Sequence, residues 1–155
     1  MISATHLHAM VVHFPIALLI AGFFSEIISF FYKRIFFRQT AFYLLILGTL
    51  GTIASYFAGN AAGQGIEGGT LGIAMEQHEQ AAMIALWVTI FTAAVYVVVS
   101  FLKYNKSWVR IVSVLLFAAV ISAIARTGYL GGQLVYKHGA GIQLALPDFS
   151  NTDEK

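Results

Sequence analysis

Four long apolar tracts, separated by short connections that hold most of the charge, constrain this sequence more than any other feature. Charged residues make up only 10% of the chain, whereas average soluble domains carry about 25%. A run of 18 or more apolar residues is typical of a helix that crosses a membrane. The sequence therefore predicts an all-α integral membrane protein with a four-helix bundle fold.

Each tract is long enough to cross a hydrocarbon core about 30 Å thick as a single helix. The predicted spans cover residues 10–32, 40–58, 81–102 and 108–136. They form one domain over residues 1–146, and residues 147–155 are expected to be a solvated tail. The Gly-rich segment 60–75 is expected to be irregular. No internal repeat is evident, although spans 1–2 and 3–4 are both helical hairpins.

The basic residues indicate how the spans are oriented. The connections after the first and third spans are short and basic, whereas the connection after the second span contains three Glu and neither Lys nor Arg. By the positive-inside rule, the two basic connections face the cytoplasm and both termini face outward. We therefore expect a multi-pass protein of the bacterial inner membrane, in contact with lipid and without a nucleic-acid surface.

The absence of cysteine limits the chemistry that this chain can support. It excludes disulfides, thiolate metal sites, iron–sulfur clusters and haem attached through a CxxCH motif. No catalytic acid–base pair or nucleophile constellation is present in the sequence pattern. An electron-transfer subunit is therefore favoured over a catalyst that acts by itself.

All five histidines fall at the predicted outer ends of the spans. His6, His8 and His13 precede or begin the first span, His78 precedes the third, and His138 follows the fourth. A single histidine near a membrane interface is usually only a polar residue at the boundary. Five on one side are not expected from two hairpins alone, so the cluster indicates a shared site.

Two imidazoles from different helices at one depth are what a six-coordinate haem b requires, because its iron accepts two axial nitrogens. His13 and His78 are the predicted ligands of one haem, since the first and third spans run in the same direction. A second haem would take His8 and His138. Arg126, near the outer end of the fourth span, is a candidate partner of a haem propionate or a bound anion. A structural role, snorkelling or pairing between helices, is equally open for it.

Two further groups of polar or small residues lie within the spans. Gly48, Gly51, Ser55 and Gly59 share one helix face, which suits close helix packing and, less directly, a flat cofactor. Glu26 is an acidic residue inside the first span. A helix–helix hydrogen bond, a proton relay and an ion pair with a basic residue are all open for it.

Three stretches carry a resemblance to a known family. They are HAMVVHFPIALLI from His8, EQHEQAAMIAL from Glu76 and RTGYLGGQLVYKHGAGI from Arg126. Together they resemble the bacterial four-helix membrane proteins of domain of unknown function 2231, over nearly the whole chain. Family members usually have proline after the first histidine of the pattern, where this chain has Ala9.

The resemblance implies which residues belong to the family pattern. These positions are His8, His13, His78, His138, Gly131, Gly132, Tyr136 and Gly139. Such domains are often found beside cytochrome c domains or in respiratory contexts, which implies redox work. The resemblance also implies a membrane protein, in a family whose name assigns no function.

The hypothesis from the sequence is a membrane-embedded, haem b-binding electron-transfer protein or subunit. It would hold one or two haems in bis-histidine sites near the periplasmic face. The expected partners are a cytochrome c, a quinone or another redox subunit of a respiratory chain. Two alternatives stay open: a copper or zinc site without haem, since imidazole suits both metals, and a non-redox accessory subunit of a larger membrane complex.

Overall fold

Five α-helices make up the part of the chain that the computed structural model describes, which is residues 3–32, 34–66, 68–103 and 106–142. They are α1 (Ala4–Val11), α2 (His13–Tyr32), α3 (Ile35–Gly63), α4 (Gly69–Phe101) and α5 (Ser107–His138). These residues contain no strand. Four segments are long and apolar enough to cross a membrane, with α1 and α2 forming one of them. The predicted all-α fold with four spans is therefore confirmed, whereas the predicted tail 147–155 lies outside the described residues.

The helices extend beyond the predicted spans at the turn between α3 and α4. α3 continues to Gly63 and α4 already begins at Gly69, so most of the segment 60–75 is helical. The prediction of an irregular segment was wrong there. The turn itself is confined to a few residues because Gly65 and Gly68 adopt φ values of 83° and 78°, which glycine reaches without steric cost.

The first span is interrupted between α1 and α2. Pro15 lies in the first turn of α2 and has no backbone N–H, so it cannot donate to the carbonyl of Val11 four residues earlier. The N–H of Val12 still donates to the carbonyl of His8 at 3.1 Å. Pro15 therefore sets the first turn of α2, as the sequence predicts, while α1 forms a separate short helix.

The four spans are arranged as a square in cross-section. α2 packs against α3 and α5, α4 packs against the same two helices, and α1 continues the first span along α3. α2 and α4 therefore lie across one diagonal of the square, and α3 and α5 lie across the other. The core between them consists of Leu19, Ala41, Leu45, Ala93, Tyr96, Phe117 and Val120.

The small residues of α3 allow its close approach to the first span. A Cβ atom on Gly48 would lie 2.6 Å from Cγ of Leu19, and one on Gly51 would lie 3.1 Å from Cβ of Pro15. Association of helices in lipid depends on such packing, because lipid is as apolar as the side chains. Most of the small-residue face of α3 therefore serves helix packing rather than a cofactor.

The two hairpins repeat each other in register. Four buried positions of α2 recur in α4 seventy residues later, in the pairs Pro15 and Ala85, Leu19 and Thr89, Gly22 and Thr92, and Glu26 and Tyr96. Three buried positions of α3 recur in α5 seventy-two residues later, in the pairs Ala41 and Ser113, Leu45 and Phe117, and Gly48 and Val120. The residue types differ in every pair, which hides the repeat in the sequence.

The repeat gives the bundle an approximate two-fold axis. α2 and α4 run in the same direction and lie across a diagonal, as do α3 and α5. The axis therefore runs along the length of the bundle, through its centre. Equivalent residues of the two hairpins face each other across this axis wherever their side chains point inward.

Candidate functional site

The five histidines all lie at one end of the bundle. This end, termed the histidine end, contains α1, the first turns of α4 and the last turns of α5. The opposite end, termed the arginine end, is where α2 connects to α3 and α4 connects to α5, and it carries Arg38 and Arg110. The structure therefore confirms that the histidines share one end, since each lies at the predicted end of its helix.

His8 links α1 to α3. Its Nδ1 lies 3.1 Å from the backbone carbonyl oxygen of Ser55, and the residue is half-buried. Its ring lies directly against Gly59, one helical turn beyond that carbonyl. A Cβ atom on Gly59 would come within 2.9 Å of Cε1 of His8. The fourth small residue of the α3 face therefore accommodates an imidazole.

His78 makes the same arrangement between α4 and α5. Its Nδ1 lies 3.1 Å from the backbone carbonyl oxygen of Thr127, and it too is half-buried. Gly131 follows that carbonyl by one turn, and a Cβ atom there would lie 3.1 Å from Cε1 of His78. His78 follows His8 by seventy residues, so the two histidines are equivalent in the repeat.

The hydrogen bonds determine which ring nitrogen carries the proton in the neutral imidazoles. A carbonyl oxygen only accepts, so Nδ1 must be the donor in both His8 and His78. In a neutral imidazole with a proton on Nδ1, the lone pair of Nε2 is available to a metal. Histidines that bind metals are typically held in this way, with the second nitrogen donating to a carbonyl or a carboxylate.

The structure brings His8 and His78 close enough for direct electrostatic interaction. This proximity follows from their equivalent positions on helices that lie across the diagonal. The pairs predicted from the sequence are His13 with His78 and His8 with His138. The pairing of His78 with His13 as ligands stays a prediction, whereas the histidine that the structure brings near His78 is His8.

His13 points away from this pair. Its side chain is exposed, and its Nδ1 donates to the carbonyl oxygen of Ala9 at 2.6 Å, within one turn of its own segment. The buried positions of α2 begin at Pro15 and continue at Leu19. His13 shares the predicted depth of His78 but lies on another face of the helix.

The remaining two histidines lie near helix ends. His138 is the last residue of α5, half-buried, and Gly139 ends the helix with a left-handed φ of 66°. His6 is exposed and hydrogen bonds through Nδ1 to Ser3 Oγ at 3.0 Å, next to the cap of α1.

Arg126 lies beside the histidine pair but on the outside of the bundle. It is exposed and lines an open cleft with Gln77, Gln80 and Tyr129. Arg126 precedes Thr127, whose carbonyl accepts from His78, and Gln77 precedes His78. The cleft therefore adjoins the site and offers one cationic and two amide groups to an anion.

His8 and His78 together can supply two nitrogen ligands to a metal. Within the described residues, no group of three or more His, Cys, Asp or Glu side chains is positioned to hold a metal ion. Structural zinc sites have four protein ligands and catalytic ones have three, whereas haem iron takes two axial ligands from the protein. The donor set of His8 and His78 therefore fits haem better than zinc.

The carbonyl groups that accept from His8 and His78 were not predicted, although the sequence contains a pattern that indicates them. Ser55 and Thr127 each precede a glycine by four residues, and each glycine contacts a histidine. His8 precedes the buried Pro15 by seven residues, and His78 precedes the buried Ala85 by the same distance. Alignment of the two hairpins would have identified His8, not His13, as the partner of His78.

The sequence from α1 to α5 matches a known protein family. The matched residues, 4–144, include every described helix and both histidines of the pair. No curated protein and no solved structure matches the chain. The protein therefore belongs to the membrane-protein family described as Predicted membrane protein (DUF2231).

Proposed function

We propose that this membrane protein holds one haem b between His8 and His78 and exchanges single electrons through it. The observation that carries the proposal is the equivalence of the two histidines. Both donate from Nδ1 to a carbonyl 3.1 Å away on the adjoining helix, which leaves the Nε2 lone pair for a metal, and the two residues interact electrostatically. Two such imidazoles match the two axial positions of a haem iron.

The surroundings of the two rings fit this role. The carbonyl acceptors hold the rings in one orientation and raise the basicity of Nε2, which strengthens an axial ligand. Gly59 and Gly131 leave no side chain between each ring and its adjoining helix. A bound haem b would supply the one-electron iron couple, and the protein would supply the ligands and their orientation.

Arg126 supports the same proposal from the adjoining cleft. Carboxylates bind arginine through charge-assisted hydrogen bonds, and glutamine amides add neutral donors. Arg126, Gln77 and Gln80 line the cleft together. We propose that this cleft receives the propionate groups, while His8 and His78 bind the iron.

The direction of electron exchange follows from the proposed orientation. The arginine end carries Arg34, Lys106 and Arg110 near its connections, and the positive-inside rule favours the cytoplasmic side for such residues. The histidine end would then face the periplasm of a bacterial inner membrane. Because both ligands lie at that end, we propose exchange with a cytochrome c, a quinone or another redox subunit there, rather than transfer across the bilayer.

A copper(I) site is the second candidate, and Met75 is the observation that favours it. Met75 lies one turn before His78 on α4, and its Sδ is 3.7 Å from where a Cβ atom of Gly63 would be. Gly63 is one turn beyond Gly59, which contacts His8. A thioether near two imidazoles is a ligand set that suits copper(I).

The experiment that tests the proposal is the optical spectrum of the purified protein, produced with ample haem and kept in lipid or mild detergent. We expect a reduced-minus-oxidised spectrum with Soret and α bands, and a pyridine haemochrome value of about one haem b per chain. A haem-free protein with stoichiometric copper would favour the second candidate. Absence of both would leave an accessory subunit of a membrane complex and would reject the proposal.

A further inference from the structure

A second polar centre lies at the arginine end, far from the histidines. Glu26 on α2 is buried, with only 5% of its surface exposed. Its Oε2 atom is buried and has no hydrogen-bond partner among the described residues. In α4, the equivalent position is Tyr96, which follows His78 by 18 residues, or about 27 Å at 1.5 Å per residue. The two centres are therefore separate.

Glu26 and Tyr96 meet across the diagonal of the bundle. Their side chains are hydrogen bonded to each other. The Tyr96 hydroxyl also donates to the backbone carbonyl oxygen of Ser113 on α5, at 3.2 Å. A short hydrogen-bonded chain therefore connects α2, α4 and α5 through the centre of the arginine end.

The proton count in this chain determines the form of the carboxyl group. A phenol has one proton to donate, and a carbonyl oxygen has none. The Tyr96 proton is used in the bond to the carbonyl of Ser113. When the phenol proton is on the Ser113 carbonyl, Glu26 can bond to the phenol oxygen only as a carboxylic acid that donates its proton.

Two cationic groups also face Glu26. Arg38 approaches from α3 and Arg110 from α5, close enough for electrostatic interaction with the carboxyl group. They are equivalent residues of the two hairpins, seventy-two positions apart. Neither donates a hydrogen bond to Oε2. A buried carboxylate normally needs such donors to offset its lost hydration, so the hydrogen-bond geometry favours the acid form despite the nearby arginines.

We propose that Glu26 is a proton-binding site in the bundle core. Its exchangeable proton is donated to Tyr96, which occupies the equivalent position in the other hairpin. The ligand of this site is the proton itself. Three helices besides its own face the site, and they contribute Arg38, Tyr96 and Arg110. The proposal does not depend on whether the histidine end binds haem.

Infrared spectroscopy of the whole protein in lipid at neutral pH tests this site. Protonated carboxyl groups have a C=O stretching band that is distinct from the bands of carboxylates. Glu76 is exposed at the histidine end, far from Glu26, which makes it the matched control. The wild-type protein should show the protonated-carboxyl band, Glu26→Gln should lose it, and the matched control Glu76→Gln should keep it.

Two further measurements separate a proton-binding site from a fixed structural acid. Tyr96→Phe should shift the band, because the acid loses its hydrogen-bond acceptor, and this readout does not depend on the folding of Glu26→Gln. The wild-type band should also shift after equilibration in D₂O. A neutral-pH spectrum without the band, or with a carboxylate band that Glu26→Gln removes, would overturn the proposal. A band that never shifts in D₂O would also overturn it.

Discussion

His8 and His78 have the same relationship to the helices beside them. Each donates from Nδ1 to a carbonyl 3.1 Å away, and each ring lies against a glycine one turn beyond that carbonyl. A ligand held by both rings on the axis would therefore have two similar protein ligands. Loss of either ring should therefore impair binding, and the residues around the two rings should matter to a similar degree.

The contact between His8 and Gly59 predicts a loss of binding in Gly59→Ala. The added Cβ would come within 2.9 Å of Cε1 of His8, so the ring must move while its Nδ1 is bonded to the carbonyl of Ser55. Changes to residues that orient metal ligands typically cost about 10- to 100-fold in affinity. Haem titration of the purified protein, followed at the Soret band, should show a weakening of this size.

Neighbouring glycines provide the controls for that variant. In Gly63→Ala, the added atom would be 3.7 Å from Sδ of Met75, which is an ordinary contact. In Gly132→Ala, it would meet no described atom within 4 Å, whereas Gly131 contacts His78. Both control variants should bind haem like the wild-type protein. Equal losses in Gly59→Ala and Gly63→Ala would show that helix packing, not the imidazole, is responsible.

Replacement of Ser55 should spare the site, because His8 bonds to the backbone carbonyl rather than to the hydroxyl. The Ser55 hydroxyl oxygen is buried without a hydrogen-bond partner among the described residues. Removal of such a group is expected to be neutral or to stabilise the protein by up to about 1 kcal/mol. Ser55→Ala should therefore keep its haem and its melting temperature. Loss of haem as complete as in a ligand variant would contradict the assigned acceptor.

The contact between Gly48 and Leu19 predicts a defect in stability that is unrelated to binding. The added methyl group of Gly48→Ala would lie 2.6 Å from Cγ of Leu19, which is fully buried between α2 and α3. Overpacking of this kind costs about 1–3 kcal/mol. Thermal unfolding in detergent should show a lower midpoint than the wild-type protein.

Gly128→Ala is the matched control for this packing prediction. Gly128 is also inside a helix, but a Cβ atom there meets no described atom within 4 Å. Alanine favours the helix over glycine by about 1 kcal/mol. The midpoint of Gly128→Ala should therefore be unchanged or raised. A drop equal to that of Gly48→Ala would mean that glycine flexibility, rather than close packing, is needed.

The four spans could be predicted from the sequence because length and hydropathy alone define them. The charged connections near Arg34 and Lys106 likewise marked where the two helices of each hairpin meet. The helix ends were less predictable, because the turn between α3 and α4 depends on a few glycines with positive φ. The composition of a Gly-rich stretch does not indicate how many of its residues lie in helices.

The proposed ligand pair, His8 and His78, could not be predicted from depth alone. His13 and His78 were expected at one level, but a ligand must also lie on the face that points into the bundle. That face is marked by Pro15 and Leu19, and His8 lies on it, one heptad before Pro15. The break between α1 and α2 made the rotation of α1 hard to predict. The equivalent spacing in the unbroken α4 gives the answer once the repeat is known.

The repeat also explains why the two ends of the bundle differ in what could be predicted. Histidine occupies both equivalent positions of the histidine end, so the sequence displays a cluster. At the arginine end, Glu26 is matched by Tyr96, and neither residue alone indicates the other. Their hydrogen bond becomes visible only when the packing of α2 against its diagonal neighbour is known.

The haem content of three purified histidine variants tests the central claim most directly. Because His8 and His78 are the proposed axial ligands, His8→Ala and His78→Ala should each lose the Soret and α bands of the wild-type protein. His13→Ala is the matched control, since its exposed ring bonds to Ala9 within its own segment, and it should keep about one haem per chain. Loss of haem in His13→Ala, with His8→Ala unaffected, would contradict the account.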